Sequence, residues 1–164
     1  MLEQTALTAS EDEVVGALLS LSRAFVGLAA RSLADLDEDV TLPQYRTLVV
    51  LVSRGPQRIV DLAQELTVTS STATRMCNRL VRKGLVARQE RPDDRRAAWV
   101  TLTAAGRDLV GAVMRRRRES LAGLVGELAM TRPLAFAATL NALVEAADEI
   151  PDAQWWQRWE TAVD

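Results

Sequence analysis

Thr69, Ser70, Ser71, Thr74, Arg75, Asn78, Arg79 and Arg82 bring hydroxyls, an amide and three guanidinium groups into one short stretch of this 164-residue chain. No acid occurs from Thr67 to Gln89. These groups make hydrogen bonds rather than break covalent ones, and their natural counterpart is a set of base edges. Arginine pairs with guanine, asparagine with adenine, and serine or threonine adapts to either. At about 100° per residue, with Ala73 as origin, Met76, Cys77 and Leu80 fall on one helical face. Ser71, Arg75, Asn78 and Arg82 fall on the opposite one, with Thr74 and Arg79 at its flanks. An ordinary solvated face is the competing reading, but exposed helices usually mix both charge signs. A helix start beside a phosphate would add attraction.

A second set follows in the charged run Arg91 to Arg96. Arg95 and Arg96 stand where a ribbon would turn, and Asp94 is placed to brace one of them. Narrow A·T-rich minor grooves attract arginine; a solvated turn is the alternative. Bond-breaking chemistry has little to work with. The chain has no histidine and one cysteine, which removes the commonest general base and the usual soft-metal ligands. We find no paired-acid, nucleophile–base or Gly-rich phosphate arrangement. Neither an enzyme nor a metal or other cofactor is expected.

The elements that must position these residues can be read from periodicity and punctuation. Val14, Val15, Leu18, Leu19, Phe25 and Val26 recur at helical spacing from Glu11 to about Leu33, with Ser10 as the expected N-cap. Thr41-Leu42-Pro43 starts a second helix, stopped by Arg54-Gly55-Pro56. Ile59 to Leu66 forms a short third. Thr69 or Ser70 caps a fourth that runs to about Lys83, with Gly84 as its stop. Leu85 to Glu90 and Ala97 to Leu102 read as the two strands of a β-hairpin. Thr103 caps a long fifth helix through Leu128, and a last helix runs from about Leu134 to Pro151. The tail containing Trp155, Trp156 and Trp159 adds one amphipathic turn.

Two helices three residues apart, followed at once by a hairpin, carry a resemblance. Arg79-Leu80, Gly84-Leu85-Val86, Asp94-Arg95-Arg96 and Leu102-Thr103-Ala104-Ala105-Gly106, in this order and spacing, resemble the multiple antibiotic resistance regulator (MarR) family. The resemblance extends over nearly the whole chain after residue 10 and is weakest from Arg132 onward. It implies a mainly α subunit with a small β-hairpin wing, in which six helices and two strands form a winged helix-turn-helix lobe and a helical dimerisation region. It further implies that the fourth helix recognises DNA, that Arg96 is the wing arginine oriented by Asp94, and that the first, fifth and sixth helices build a homodimer. Family members usually repress nearby genes, and many release DNA when a small, often phenolic, ligand binds.

The expected organisation is therefore a single domain, 1–164. Residues 41–103 form the DNA-binding lobe, and 11–34 with 104–164 form the dimerisation region. The expected partners are double-stranded DNA carrying a pseudo-palindromic operator, a second copy of the chain, and a small aromatic ligand. A winged-helix protein-interaction module is the alternative function, since fold alone does not decide it. Charge favours DNA: Arg54 to Arg118 holds 15 Lys/Arg against 6 Asp/Glu, whereas the whole chain nets −2. Segregated charge is what phosphate binding requires. No signal peptide is read, and no apolar stretch approaches the roughly 20 residues of a membrane span; with a lone cysteine, the cytoplasm is the expected compartment. Cys77 is read as core packing rather than a redox switch. Arg115 to Arg118 are read as solvated or acid-paired, for instance with Glu119. Tyr45, Phe25 and Trp99 are read as core rather than as ligand lining.

Overall fold

The computed structural model describes residues 7–34, 36, 39–91 and 94–163, with side chains left undescribed at 91 and 94–97. The chain divides into two compact units, Met1–Asp39 and Val40–Asp164.

The first unit is helix α1, Ala9–Ala34. It begins one residue before the expected cap, because Thr8 performs the capping instead. The Glu11 backbone N–H donates to Thr8 Oγ1 at 3.3 Å, and Glu11 Oε2 accepts from the Thr8 N–H at 2.7 Å. This reciprocal pair satisfies two donors that a helix start leaves open. The bonds from Thr8 hold the Glu11 carboxyl below its ordinary range. At 26 residues α1 is also long and apolar enough, by length and composition, to cross a membrane, which corrects the expectation above. Gly16, Ser20, Ser22 and Gly27 interrupt the apolar run, yet such small residues cost little hydropathy.

The second unit carries α2 (Leu42–Arg54), β1 (Gln57–Arg58), α3 (Ile59–Glu65), α4 (Ser70–Arg82), β2 (Val86–Arg91), β3 (Asp94–Leu102), α5 (Ala104–Gly126), α6 (Pro133–Ala146) and α7 (Asp152–Glu160). Thr41 caps α2 in a capping box with Gln44, and Gly55 ends it at φ 73°. Thr69 caps α4. The turn between α3 and α4 places Thr67 at φ 54°, an uncommon conformation for a β-branched residue. Backbone bonds from Thr67 to Gln64 and from Val68 to Ala63 close that turn.

The sheet has three antiparallel strands in the order β1-β3-β2, not the two expected. Gln57 pairs with Val100 and Arg58 with Trp99. Two residues beside Pro56 carry no alternating pattern to signal a strand, and only their tertiary partner makes them one. The hairpin departs from its expected layout as well. β3 begins at Asp94, and Arg91 pairs with Asp94 across an irregular register, so Arg95 and Arg96 belong to strand backbone rather than to a turn. Residues 92–93 lie outside the described residues.

The core of this unit is apolar: Leu48, Leu51, Leu62, Ala73, Leu80, Leu85, Val100, Val110 and Val113 are essentially inaccessible. The motif residues behind the resemblance have clear structural reasons. Gly84 turns the chain at φ 70°, where a Cβ would be strained. Thr103 Oγ1 then donates to the Gly84 carbonyl at 2.7 Å and accepts from Gly106 N–H at 3.1 Å. Gly106 must lack a side chain, because a Cβ there would stand 2.1 Å from the Leu85 carbonyl oxygen. The hairpin is thus locked to the start of α5. At the C-terminus, α7 is a nine-residue helix rather than a single turn.

Candidate nucleic-acid interface

Helix α4 buries Ala73, Met76, Cys77 and Leu80 and nothing else. Spacing alone accounts for this: 3.6 residues per turn puts those four in one stripe. Thr47 Oγ1 meets Met76 Sδ at 3.4 Å beneath it. Burial pushes the Cys77 thiol up from its ordinary range, as a packed, protonated group requires.

The opposite face is open. Thr69, Ser70, Ser71, Arg75, Asn78, Arg79 and Arg82 are exposed, and Thr74 is half-buried. Thr69 Oγ1 accepts from Thr72 N–H at 3.3 Å and lies 3.0 Å from both Ser71 Oγ and Thr72 Oγ1. Thr74 turns its hydroxyl back to the Ser70 carbonyl at 2.8 Å. Arg75 Nη2 donates to Thr72 Oγ1 at 3.3 Å, which leans the guanidinium toward the helix start. Asn78 Oδ1 accepts from Arg88 Nη2 at 2.5 Å. A concave surface of about 370 Å³ lies between the start of α2 and α4, with Thr41, Gln44, Thr72, Arg75 and Arg79 around it.

Electrostatics separate this face from the rest of the unit. Arg46 pairs with Glu149, Arg54 with Glu65 and Asp148, Arg58 with Asp61, Arg107 with Asp108, and Arg118 with Asp152, all between 2.7 and 3.3 Å. Among the described residues, no carboxylate pairs with Arg75, Arg79 or Arg82. The acid-free stretch of sequence therefore becomes a surface of uncompensated positive charge. The side chains of Asp94, Arg95 and Arg96, the expected wing contacts, lie outside those described.

Arg88 and Thr72 are the polar groups that sequence reading missed. Thr72 is detectable in principle as the acceptor three residues before Arg75. Arg88 has no such signal, because its contact crosses from β2 to α4.

A second feature is a cavity of about 510 Å³ between α2, α5 and the connection from α6 to α7. Leu42, Val49, Met114, Val144, Ile150 and Trp155 supply its apolar wall, and Tyr45, Arg46, Arg117, Glu149 and Asp152 its polar groups. Tyr45 is 2% exposed, and its hydroxyl has no hydrogen-bond partner among the described residues. Burial pushes its pKa up to about 12, with Arg117 pulling the other way. The Arg117 guanidinium sits 4.8 Å from the centre of the Tyr45 ring. Tyr45 is core as expected and also lines a cavity, whereas Phe25, expected in the core, is 45% exposed. Arg118 pairs with Asp152 on α7 rather than with the adjacent Glu119, because folding brings the former within reach.

The MarR family model matches residues 40–98 of the chain. An uncharacterised helix-turn-helix transcriptional regulator of Bacillus subtilis, YwhA, is 26% identical over 121 residues, covering 70% of this chain and 86% of that protein. The B. subtilis transcriptional repressor MdtR is 28% identical, covering 79% and 84% respectively. The crystal structure of RV1404 from Mycobacterium tuberculosis is similar with a TM-score of 0.78 and 39% identity, covering 90% of this chain and 99% of that one.

Proposed function

The chain belongs to the MarR family of DNA-binding transcription regulators, and from that premise we propose that its homodimer binds an inverted-repeat operator in the cytoplasm and represses the genes beside it. In this reading residues 41–103 are the DNA-binding lobe. Helix α4 enters the major groove with Thr69, Ser70, Ser71, Thr74, Arg75, Asn78, Arg79 and Arg82 toward bases and phosphates. Arg95 and Arg96, with Asp94 orienting one of them, follow the adjacent minor groove. The observation that carries the reading is the exposed face of α4, whose arginines lack carboxylate partners among the described residues while five other arginines of the unit have them.

Dimerisation through 11–34 and 104–164 is supported by apolar side chains left in water. Val14, Leu19, Phe25 and Val26 on α1 are exposed, as are Leu124, Val125 and Leu128 at the end of α5 and Leu134 and Phe136 on α6. Large exposed apolar patches on a subunit mark interaction sites. The same apolar character that makes α1 resemble a membrane span suits a helix buried against another copy.

A small aromatic ligand fits the cavity around Tyr45. Its volume lies in the range of ligand sites, its wall is mostly apolar, and the unpartnered Tyr45 hydroxyl offers a hydrogen bond. Occupancy would separate α5 from α2 and so move the lobe that carries α4.

Duplex binding measured against salt tests the core of this proposal. Affinity should fall steeply with rising salt, as neutralising several phosphates requires. Arg75→Ala should cost about 1–3 kcal/mol and relax base preference at one position in each half-site. A protein-docking module would show neither effect, and salt-independent binding with an unaffected variant would remove the proposal.

A further inference from the structure

We propose that Arg88 is a positioning residue for Asn78, holding its amide with the NH2 group outward so that this position of α4 reads a keto-bearing base rather than adenine. The inference rests on the reading of α4 as the major-groove helix. A guanidinium has five N–H donors and no acceptor. The Asn78 atom 2.5 Å from Arg88 Nη2 must therefore be the carbonyl oxygen. A bond assisted by full positive charge is short and strong, and Arg88 has no carboxylate partner among the described residues to draw it away. Its backbone is fixed too, because Arg88 lies opposite the buried Val100 in the sheet.

This orientation changes what Asn78 can read. Pairing with adenine needs both ends of the amide, the oxygen for N6–H and the nitrogen for N7. With Oδ1 turned to β2 and one of its two lone pairs engaged by Arg88, the side of Asn78 that faces away from β2 presents its NH2 donors. Guanine offers N7 and O6 as adjacent acceptors and thymine offers O4, whereas adenine sets a donor beside its acceptor and cytosine offers a donor. The asparagine–adenine pairing expected from residue type gives way to a donor-only contact. The cause is a residue on another element.

The test is selection of bound duplexes from a randomised pool by the full chain, its Asn78→Ala and Arg88→Met variants, and the double variant. The unaltered chain should enrich a half-site with one position where guanine or thymine exceeds adenine by roughly tenfold. Asn78→Ala should flatten that position alone. Arg88→Met should bring adenine to parity or above there, and the double variant should match Asn78→Ala, because Arg88 acts through Asn78. Thermal melting and non-specific DNA affinity check that the variants fold. A second readout uses the unaltered chain: where the site holds guanine, 7-deazaguanine should weaken binding severalfold, and Asn78→Ala should be insensitive to that change. Three results would overturn the inference while leaving the DNA reading intact. They are adenine preferred at the Asn78-sensitive position, a base preference unmoved by Arg88→Met, and no position affected by Asn78→Ala. A pool with no enriched sequence would overturn the DNA reading, and this inference with it.

Discussion

Tyr45 is the residue at which stability and ligand binding pull in opposite directions. Its hydroxyl is buried without a partner among the described residues, which costs the desolvation of that group, typically about 1–3 kcal/mol. Tyr45→Phe should therefore hold or raise stability near neutral pH. The pH dependence has a definite sign. The folded-state value of about 12 exceeds the unfolded value of 10, so the neutral phenol favours the folded state at any pH below 10. That contribution is lost as pH rises from 10 toward 12, by about 2–3 kcal/mol for a two-unit shift. Denaturant titrations at pH 7, 10 and 11.5 should show this decline in the unaltered chain and a smaller one in Tyr45→Phe. If the cavity binds a phenolic ligand through that hydroxyl, the same variant should bind it severalfold more weakly while being no less stable.

Among the elements, α7 has the most specific attachment. Trp159 Nε1 donates to the Arg107 carbonyl at 2.8 Å, and its indole lies where a Cβ on Gly111 would come within 2.7 Å. Arg107 packs over the same ring at 5.3 Å, and Arg158 donates to the Ser53 carbonyl at the end of α2. A short helix of nine residues is marginal alone, so these contacts to α2 and α5 maintain it. Gly111→Ala should cost about 1–3 kcal/mol, since the methyl group cannot be accommodated without moving the ring. Tryptophan emission should shift to the red as Trp159 meets water. An unchanged spectrum and melting point would mean that α7 does not rest on α5 in solution.

For the whole molecule, charge and apolar surface sit on different parts of the chain. Basic residues concentrate between Arg54 and Arg118, while α6 buries no residue at all. Leu134, Phe136 and Leu143 of this helix stay exposed within its own subunit, which suits the proposed contact with a second copy. If the proposed dimer forms through α6, Phe136→Asp should shift the protein toward monomer in sedimentation velocity at micromolar concentration, with its melting of secondary structure still cooperative. Weakened association should lower operator affinity more than non-specific affinity, because two lobes need half-sites about 10 base pairs apart on one duplex. A variant that remains fully dimeric would exclude α6 from the interface.

The α4 face, its Thr69 cap, the Thr41 and Thr103 caps and the Gly84 stop were legible in the sequence, because each is set by neighbours within one or two helical turns. Periodicity decides which side chains share a stripe, and a cap needs only the right oxygen at the right offset. The features that were not legible depend on partners distant in sequence. β1 is a strand because Val100 and Trp99 arrive beside it. Asn78 faces the way it does because Arg88 crosses from another element. Tyr45 lines a cavity because α5, α6 and α7 close around it, and Gly111 is constrained by an indole 48 positions further along. Residue type and spacing chose which groups share the exposed face of α4; the packing of one element on another decided how each group on that surface is aimed.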